Sequence, residues 1–252
     1  MTRQLRMMGF HIRQFIGVPY FIQVMVVATV TTTLVQFLAF RAWHSIDPTV
    51  GWVRGGAIGL WSTATCAAGI LGFERHKGTL VHLVLAPVGA LRSLAAVVSA
   101  AASFGLLALP LSWATWALLS WSLDASGWVW PSPGALAAGT LMLWLGAVCL
   151  SLVVAALFVL TPNAIAYEGL LLVPVFLLSG LTFLGSGTPP WLGAASRLLP
   201  ISLPVQVLLG RPVGAADALV WAGCTAAWLA AAALLGRGAL RRATRSATLE
   251  VV

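Results

Sequence analysis

The sequence predicts an all-α, polytopic membrane protein with six transmembrane helices. Three observations carry that expectation. Of its 252 residues, 60% are hydrophobic and the mean hydropathy is +0.97, whereas a soluble domain of this size keeps far more charge on its outside. Apolar stretches of the roughly 20 residues needed to span a bilayer recur along the chain. Charged residues make up only 8% and fall mainly between those stretches. In hydrocarbon every backbone polar group must be satisfied within the protein, which selects helices.

Residues 1–18 read as a separate element, and 19–252 as a single transmembrane domain. Leu5, Met8, Ile12, Phe15 and Ile16 follow helical spacing, while Arg6 and Arg13 share another face. That pattern predicts a basic amphipathic helix in the headgroup plane. Pro19 permits a turn into the first span. The predicted spans are 20–40, 55–73, 94–119, 135–160, 164–184 and 215–236. The third and fourth exceed the minimum length and accommodate tilt. After the fifth, Gly185-Ser186-Gly187-Thr188-Pro189-Pro190 is a strong breaker cluster. Residues 191–209 are apolar again but are cut by Pro200 and Pro204. They read as short re-entrant helices on the outer side, whose irregular backbone protein must cover.

The basic residues set the orientation. Arg3, Arg6 and Arg13 precede span one, Arg75, Lys77 and Arg92 lie between spans two and three, and Arg237, Arg241, Arg242 and Arg245 follow span six. Only Arg41, Arg54, Arg197 and Arg211 fall on the other side. By the positive-inside rule both termini are cytoplasmic, which also accounts for the net charge of +8 without nucleic acid. Trp43, Trp52, Trp121, Trp128, Trp130, Trp191 and Trp221 collect at the opposite span ends, as an outer aromatic belt does. Trp61, Trp144 and Trp228 lie deeper and are expected to pack.

Catalytic chemistry has little to stand on. Cys66, Cys149 and Cys224 sit in apolar runs and read as small hydrophobes. No Cys/His spacing resembles a metal site. No clustered nucleophile, base or metal set is evident, and the chain has no P-loop for nucleotide. It therefore reads as a non-enzyme that binds no cofactor itself.

One polar island interrupts the apolar sequence. Residues 73–87 hold the only Lys, an acid and two of the four His. As a helix, the island puts Arg75, Thr79 and His82 on one face, with Leu80, Leu83, Val84 and Leu85 spread over the opposite side. Gly78 allows close approach of another backbone, and Pro87 ends the element. Such a surface helix suits docking in a partner's groove.

Glu74-Arg75-x-x-Gly78-Thr79-Leu80-x-x-Leu83-x-x-Ala86-Pro87 resembles the cytoplasmic signature of ABC-2 type transporter permeases. Residues 174–181 (PVFLLSGL), followed by Pro189-Pro190-Trp191-Leu192 and Leu199-Pro200, resemble the same family around its fifth span. The chain departs from the pattern at His76, Lys77, Val81 and His82, where members often carry a second acid and a polar acceptor. The resemblance implies that 74–87 is a coupling helix, with Glu74, Arg75, Gly78, Thr79, Leu80 and His82 meeting a separate ATP-binding cassette ATPase. ATP and Mg would be used by that partner, and a second permease, a copy or a paralogue, would complete a dimer in a bacterial inner membrane. The expected activity is export of a hydrophobic or amphipathic molecule such as a drug, antibiotic or lipid, since the spans are mostly Leu, Ala and Val. Gly55-x-x-x-Gly59 offers one place for close helix approach. An ion- or proton-coupled transporter is the alternative. Its one candidate group is Glu168, about a turn inside span five; it reads either as a polar site on the path or as an interfacial acid reaching water.

Overall fold

The computed structural model describes residues 3–43, 48–76, 89–122, 131–160 and 190–245, with Val173, Val175, Leu177 and Leu178 between them. Among the described residues the chain forms nine helices and no strand. They are α1 (Arg3–Gly17), α2 (Pro19–Trp43), α3 (Pro48–His76), α4 (Ala90–Gly105), α5 (Ala108–Ser122), α6 (Pro133–Leu160), α7 (Pro190–Ser196), α8 (Ser202–Leu208) and α9 (Ala215–Arg245). Four helical stretches are long and apolar enough to cross a membrane: Pro19–Ala42, Ala90–Trp121, Pro133–Leu160 and Ala215–Arg242. They coincide with predicted spans one, three, four and six. Of span five only Val173, Val175, Leu177 and Leu178 are described, all helical.

Predicted span two is α3, at 29 residues the longest helix after α9. It is not among the four apolar stretches, because Arg54 and its many Gly, Ser and Thr residues lower its hydropathy. Every residue from Gly51 to Trp61 is buried. A helix enclosed by protein has no need of a lipid-facing apolar surface, so small residues serve it better. Gly51, Gly55 and Gly59 recur at four-residue spacing on one face. A Cβ at Gly51 would enter the Trp116 ring, one at Gly55 would enter Thr33 Oγ1 and Ser112 Oγ, and one at Gly59 would enter Thr29 Oγ1. As α3 advances from 51 to 59 its partners step back, 116 to 108 on α5 and 33 to 29 on α2, so both neighbours run antiparallel to α3. The Gly55/Gly59 pair thus joins helices within one chain.

Hydroxyls satisfy one another along this seam. Ser112 Oγ donates to the Trp52 carbonyl at 2.7 Å, and the Thr33 hydroxyl lies 2.7 Å from both Ser112 Oγ and the Thr29 carbonyl. Thr29 Oγ1 donates to the Met25 carbonyl at 2.6 Å. Trp52 is 2% exposed and packs in the core, not in an aromatic belt. Phe37 and Trp116 meet edge to face beside it, with centroids 5.2 Å apart.

Predicted span three is two helices. Pro110 has no N–H, and its ring crowds the carbonyl of Leu106 four residues back. The Leu106 carbonyl accepts from Leu109 N–H at 3.2 Å instead, and Leu107 N–H turns to the Phe104 carbonyl at 3.1 Å. The result is a tight turn at Leu106–Leu107.

The amphipathic α1 forms as expected but docks along α4. Gln4 Nε2 donates to the Arg92 carbonyl at 3.1 Å, and Ser103 Oγ approaches Met8 Sδ at 3.9 Å. Met8 and Ile12 are partly buried and Phe15 is buried, with its ring 4.6 Å from that of Phe21. Leu5, Phe10 and Ile16 stay exposed. Trp144 Nε1 donates to Ser103 Oγ at 3.1 Å, which ties α6 to α4 at the same point.

Gly55→Leu is expected to lose about 1–3 kcal/mol or more of stability by overpacking the α2–α3–α5 seam. Gly223→Leu, on an open face of α9 with no atom within 4 Å, is expected to cost nothing and to raise stability by up to about 1 kcal/mol, because glycine is a poor helix former. Thermal unfolding of the detergent-solubilised protein, read by loss of the monodisperse peak, compares the two.

Candidate functional site

The island is described only at its edges. Glu74, Arg75 and His76 form the last turn of α3, so the island's first residues continue the long helix instead of starting a separate one. Gly78, Thr79, Leu80 and His82 lie outside the described residues, as does Glu168. The chain resumes at Gly89, whose φ of 88° is a left-handed conformation that glycine takes without strain. Its carbonyl accepts from the N–H groups of Arg92 and Ser93 at 3.1 Å, which starts α4.

Arg92 shares a cleft of about 350 Å³ with Arg237 and Arg241 of α9. Gly236 makes this possible, because a Cβ there would reach Leu91 Cδ2 at 2.8 Å. Below it, Leu94, Val98, Val154, Phe158 and Ala239 form one buried cluster joining α4, α6 and α9. The start of α4, the late turns of α9 and, through Gln4, the start of α1 thus share one basic end of the bundle.

A second feature lies toward the other end. The short helices α7 and α8 form a helical hairpin whose turn runs through residues 197–201. Its inner face is buried, with Leu192, Leu199, Ile201, Val205 and Leu208 in contact with the bundle. On α6, a Cβ at Gly139 would reach Leu208 Cγ at 2.6 Å and one at Gly146 would reach the Pro200 carbonyl at 2.6 Å. The hairpin therefore lies along the glycine face of α6.

The turn exposes carbonyls that no helix satisfies, and α9 supplies donors for them. Trp221 Nε1 donates to the Pro200 carbonyl at 2.7 Å and Trp228 Nε1 to the Leu198 carbonyl at 2.8 Å; Cys224 Sγ donates to the same Leu198 carbonyl at 3.1 Å. Positions 221, 224 and 228 share one helical face. Trp221 is thus an internal donor and Cys224 more than a small hydrophobe. Within the turn, Ser202 Oγ bonds the Ser196 carbonyl at 2.6 Å.

These contacts give the depth of the turn. At 1.5 Å per residue, Gly146 is about 20 Å along α6 from Pro133, and Cys224 and Trp228 are about 13 and 20 Å along α9 from Ala215. Both contacts fall near the middle of α6 and of α9. Arg197 sits on it and is exposed, as is its neighbour Leu198 at 69%. The sequence assigns Arg197 to the outer side, and the apolar run 191–209 by itself does not say where along the bundle its turn lies.

An apolar cleft of about 560 Å³ lies between α4 and α6, lined by Leu106, Leu136, Thr140, Leu141 and Trp144, with Ser103 at its wall. Among the described residues no group of three or more His, Cys, Asp or Glu is arranged to hold a metal.

Trp228→Phe removes the indole donor and leaves the Leu198 carbonyl only the weak Cys224 thiol. It is expected to lower stability by about 0.5–1.5 kcal/mol, whereas Trp121→Phe, at a side chain 85% exposed, leaves it within about 0.5 kcal/mol. Chemical unfolding in mixed micelles, followed by circular dichroism, measures both.

No family model matches the chain, and no curated protein or solved structure matches it; the functional reading rests on the chain's own residues.

Proposed function

We propose that this chain is the membrane permease subunit of an ATP-driven exporter of the ABC-2 type, which moves a hydrophobic or amphipathic molecule out of the cell. The observation that carries this reading is the island Glu74–Pro87, a charged segment of family-like pattern in a chain with 8% charged residues. Its flanks support the role. One is the last turn of the most enclosed helix, α3, and the other opens α4 at the basic end of the bundle. Force on the island acts directly on α3, whose glycine face holds α2 and α5. In this reading α3 and 164–184 are the remaining two of six spans, both termini are cytoplasmic, and the membrane is a bacterial inner membrane. Two permeases, copies or paralogues, pair with two ATPases that bind ATP and Mg. Nucleotide binding shifts the pair between inward- and outward-facing states through its different affinity for each. The apolar cleft between α4 and α6 suits a cargo with hydrophobic parts.

Reconstitution with a candidate cassette ATPase tests the proposal. Co-purification and ATP-dependent export are expected. Transport driven by a proton gradient alone, with no ATPase bound, would reject it in favour of a secondary transporter. Gly78→Trp and Arg75→Glu are each expected to lower permease-stimulated ATPase activity about tenfold, within the range of ordinary coupling free energies, with membrane insertion unchanged. Unaltered stimulation in both variants removes the island as the contact.

A further inference from the structure

Arg197 stands at the tip of the α7–α8 hairpin, near mid-height of the apolar helices by the registers of Gly146 on α6 and Cys224 and Trp228 on α9. Both it and Leu198 are exposed on the open face of the hairpin, opposite the buried face of Leu192, Leu199 and Ile201. Among the described residues no carboxylate pairs with it. Asp217, the acid nearest in sequence, bonds Gly214 N–H at 3.3 Å instead. A guanidinium held at that depth against lipid is costly, and ionisable groups at such positions face water, a counter-charge or a transport path. The backbone beneath it is held by the Trp221 and Trp228 donors and by Ser202, so the turn that presents Arg197 is built and not frayed.

We propose that Arg197 lines a water-accessible route through the membrane and binds the anionic group, a carboxylate, sulfate or phosphate, of an amphipathic molecule. Its planar fork of donors matches such oxyanions two at a time. The surrounding open surface, Leu198 and Trp191, is apolar and takes the hydrophobic part. That this molecule is exported cargo rests on the reading given above. The accessibility of Arg197 and its preference for anions do not.

Cysteine labelling tests it without ATP, an ATPase or transport. Cys66, Cys149 and Cys224 are replaced by Ala, and Leu198→Cys is introduced as the reporter. Gly193→Cys, one turn away at an exposed glycine with no atom within 4 Å, is the second reporter should the first not fold. In phosphatidylcholine vesicles the reporter is reacted with sulfonatoethyl (anionic) and trimethylammonioethyl (cationic) methanethiosulfonates, each rate normalised to that of a free thiol. The anionic reagent is expected to react about tenfold faster, the order expected of one nearby charge in partly screened surroundings. Arg197→Gln is expected to bring the ratio to about one, and octyl sulfate to slow labelling where octyltrimethylammonium does not. No reaction with either reagent, as for a turn set against lipid, overturns the route. Reaction without charge preference, a preference that survives Arg197→Gln, or equal protection by both amphiphiles overturns Arg197 as the anion site. Failure of ATP-driven export with these results intact would count against the exporter reading alone.

Discussion

Contact along the glycine face of α3 sets the positions of its neighbours α2 and α5. The hydrophobic effect does little to hold apolar helices together in hydrocarbon, so association depends on close packing and on interhelical hydrogen bonds. Gly51, Gly55 and Gly59 supply the first, letting Trp116, Thr33, Ser112 and Thr29 reach the α3 backbone. Ser112 and Thr33 supply the second. Glu74 and Arg75 sit in the last turn of this same helix.

The hairpin answers a different constraint. A turn between two short helices leaves carbonyls outside any helical ladder, and each needs a donor. Here α9 provides indole N–H groups at Trp221 and Trp228 and the thiol of Cys224, while α6 provides room at Gly139 and Gly146. Two helices that pack on each other thus share the work of holding the hairpin. The same arrangement sets the exposed Arg197 level with the middle of α6 and α9, which is what the proposed anion site builds on.

Much of the architecture was legible because it follows from length and pattern. The long apolar runs became α2, α6 and α9, the 3.6-residue spacing of Met8, Ile12 and Phe15 became the inner face of α1, and Pro200 and Pro204 marked a broken hairpin. The break at Leu106–Leu107 was visible in Pro110, but hydropathy averages over it. Trp52 and Trp221 looked alike as belt residues, since position along a span does not say which way an indole points. Of the candidate site, Glu74 and Arg75 fall at the end of α3, and the remaining island residues and Glu168 lie outside the described residues.

Composition and periodicity by themselves determined that the chain is helical, membrane-compatible and marked by one polar island. Those properties depend only on how many apolar residues lie in a row and at what spacing. Tertiary structure alone decided that the Gly55/Gly59 pair joins helices within the chain, that α1 docks on α4, and that the turn bearing Arg197 lies level with the middle of α6 and α9. Each of these is a matter of which surfaces meet, and contacts between residues such as Gly146 and Pro200, or Trp228 and Leu198, have no local sequence signal.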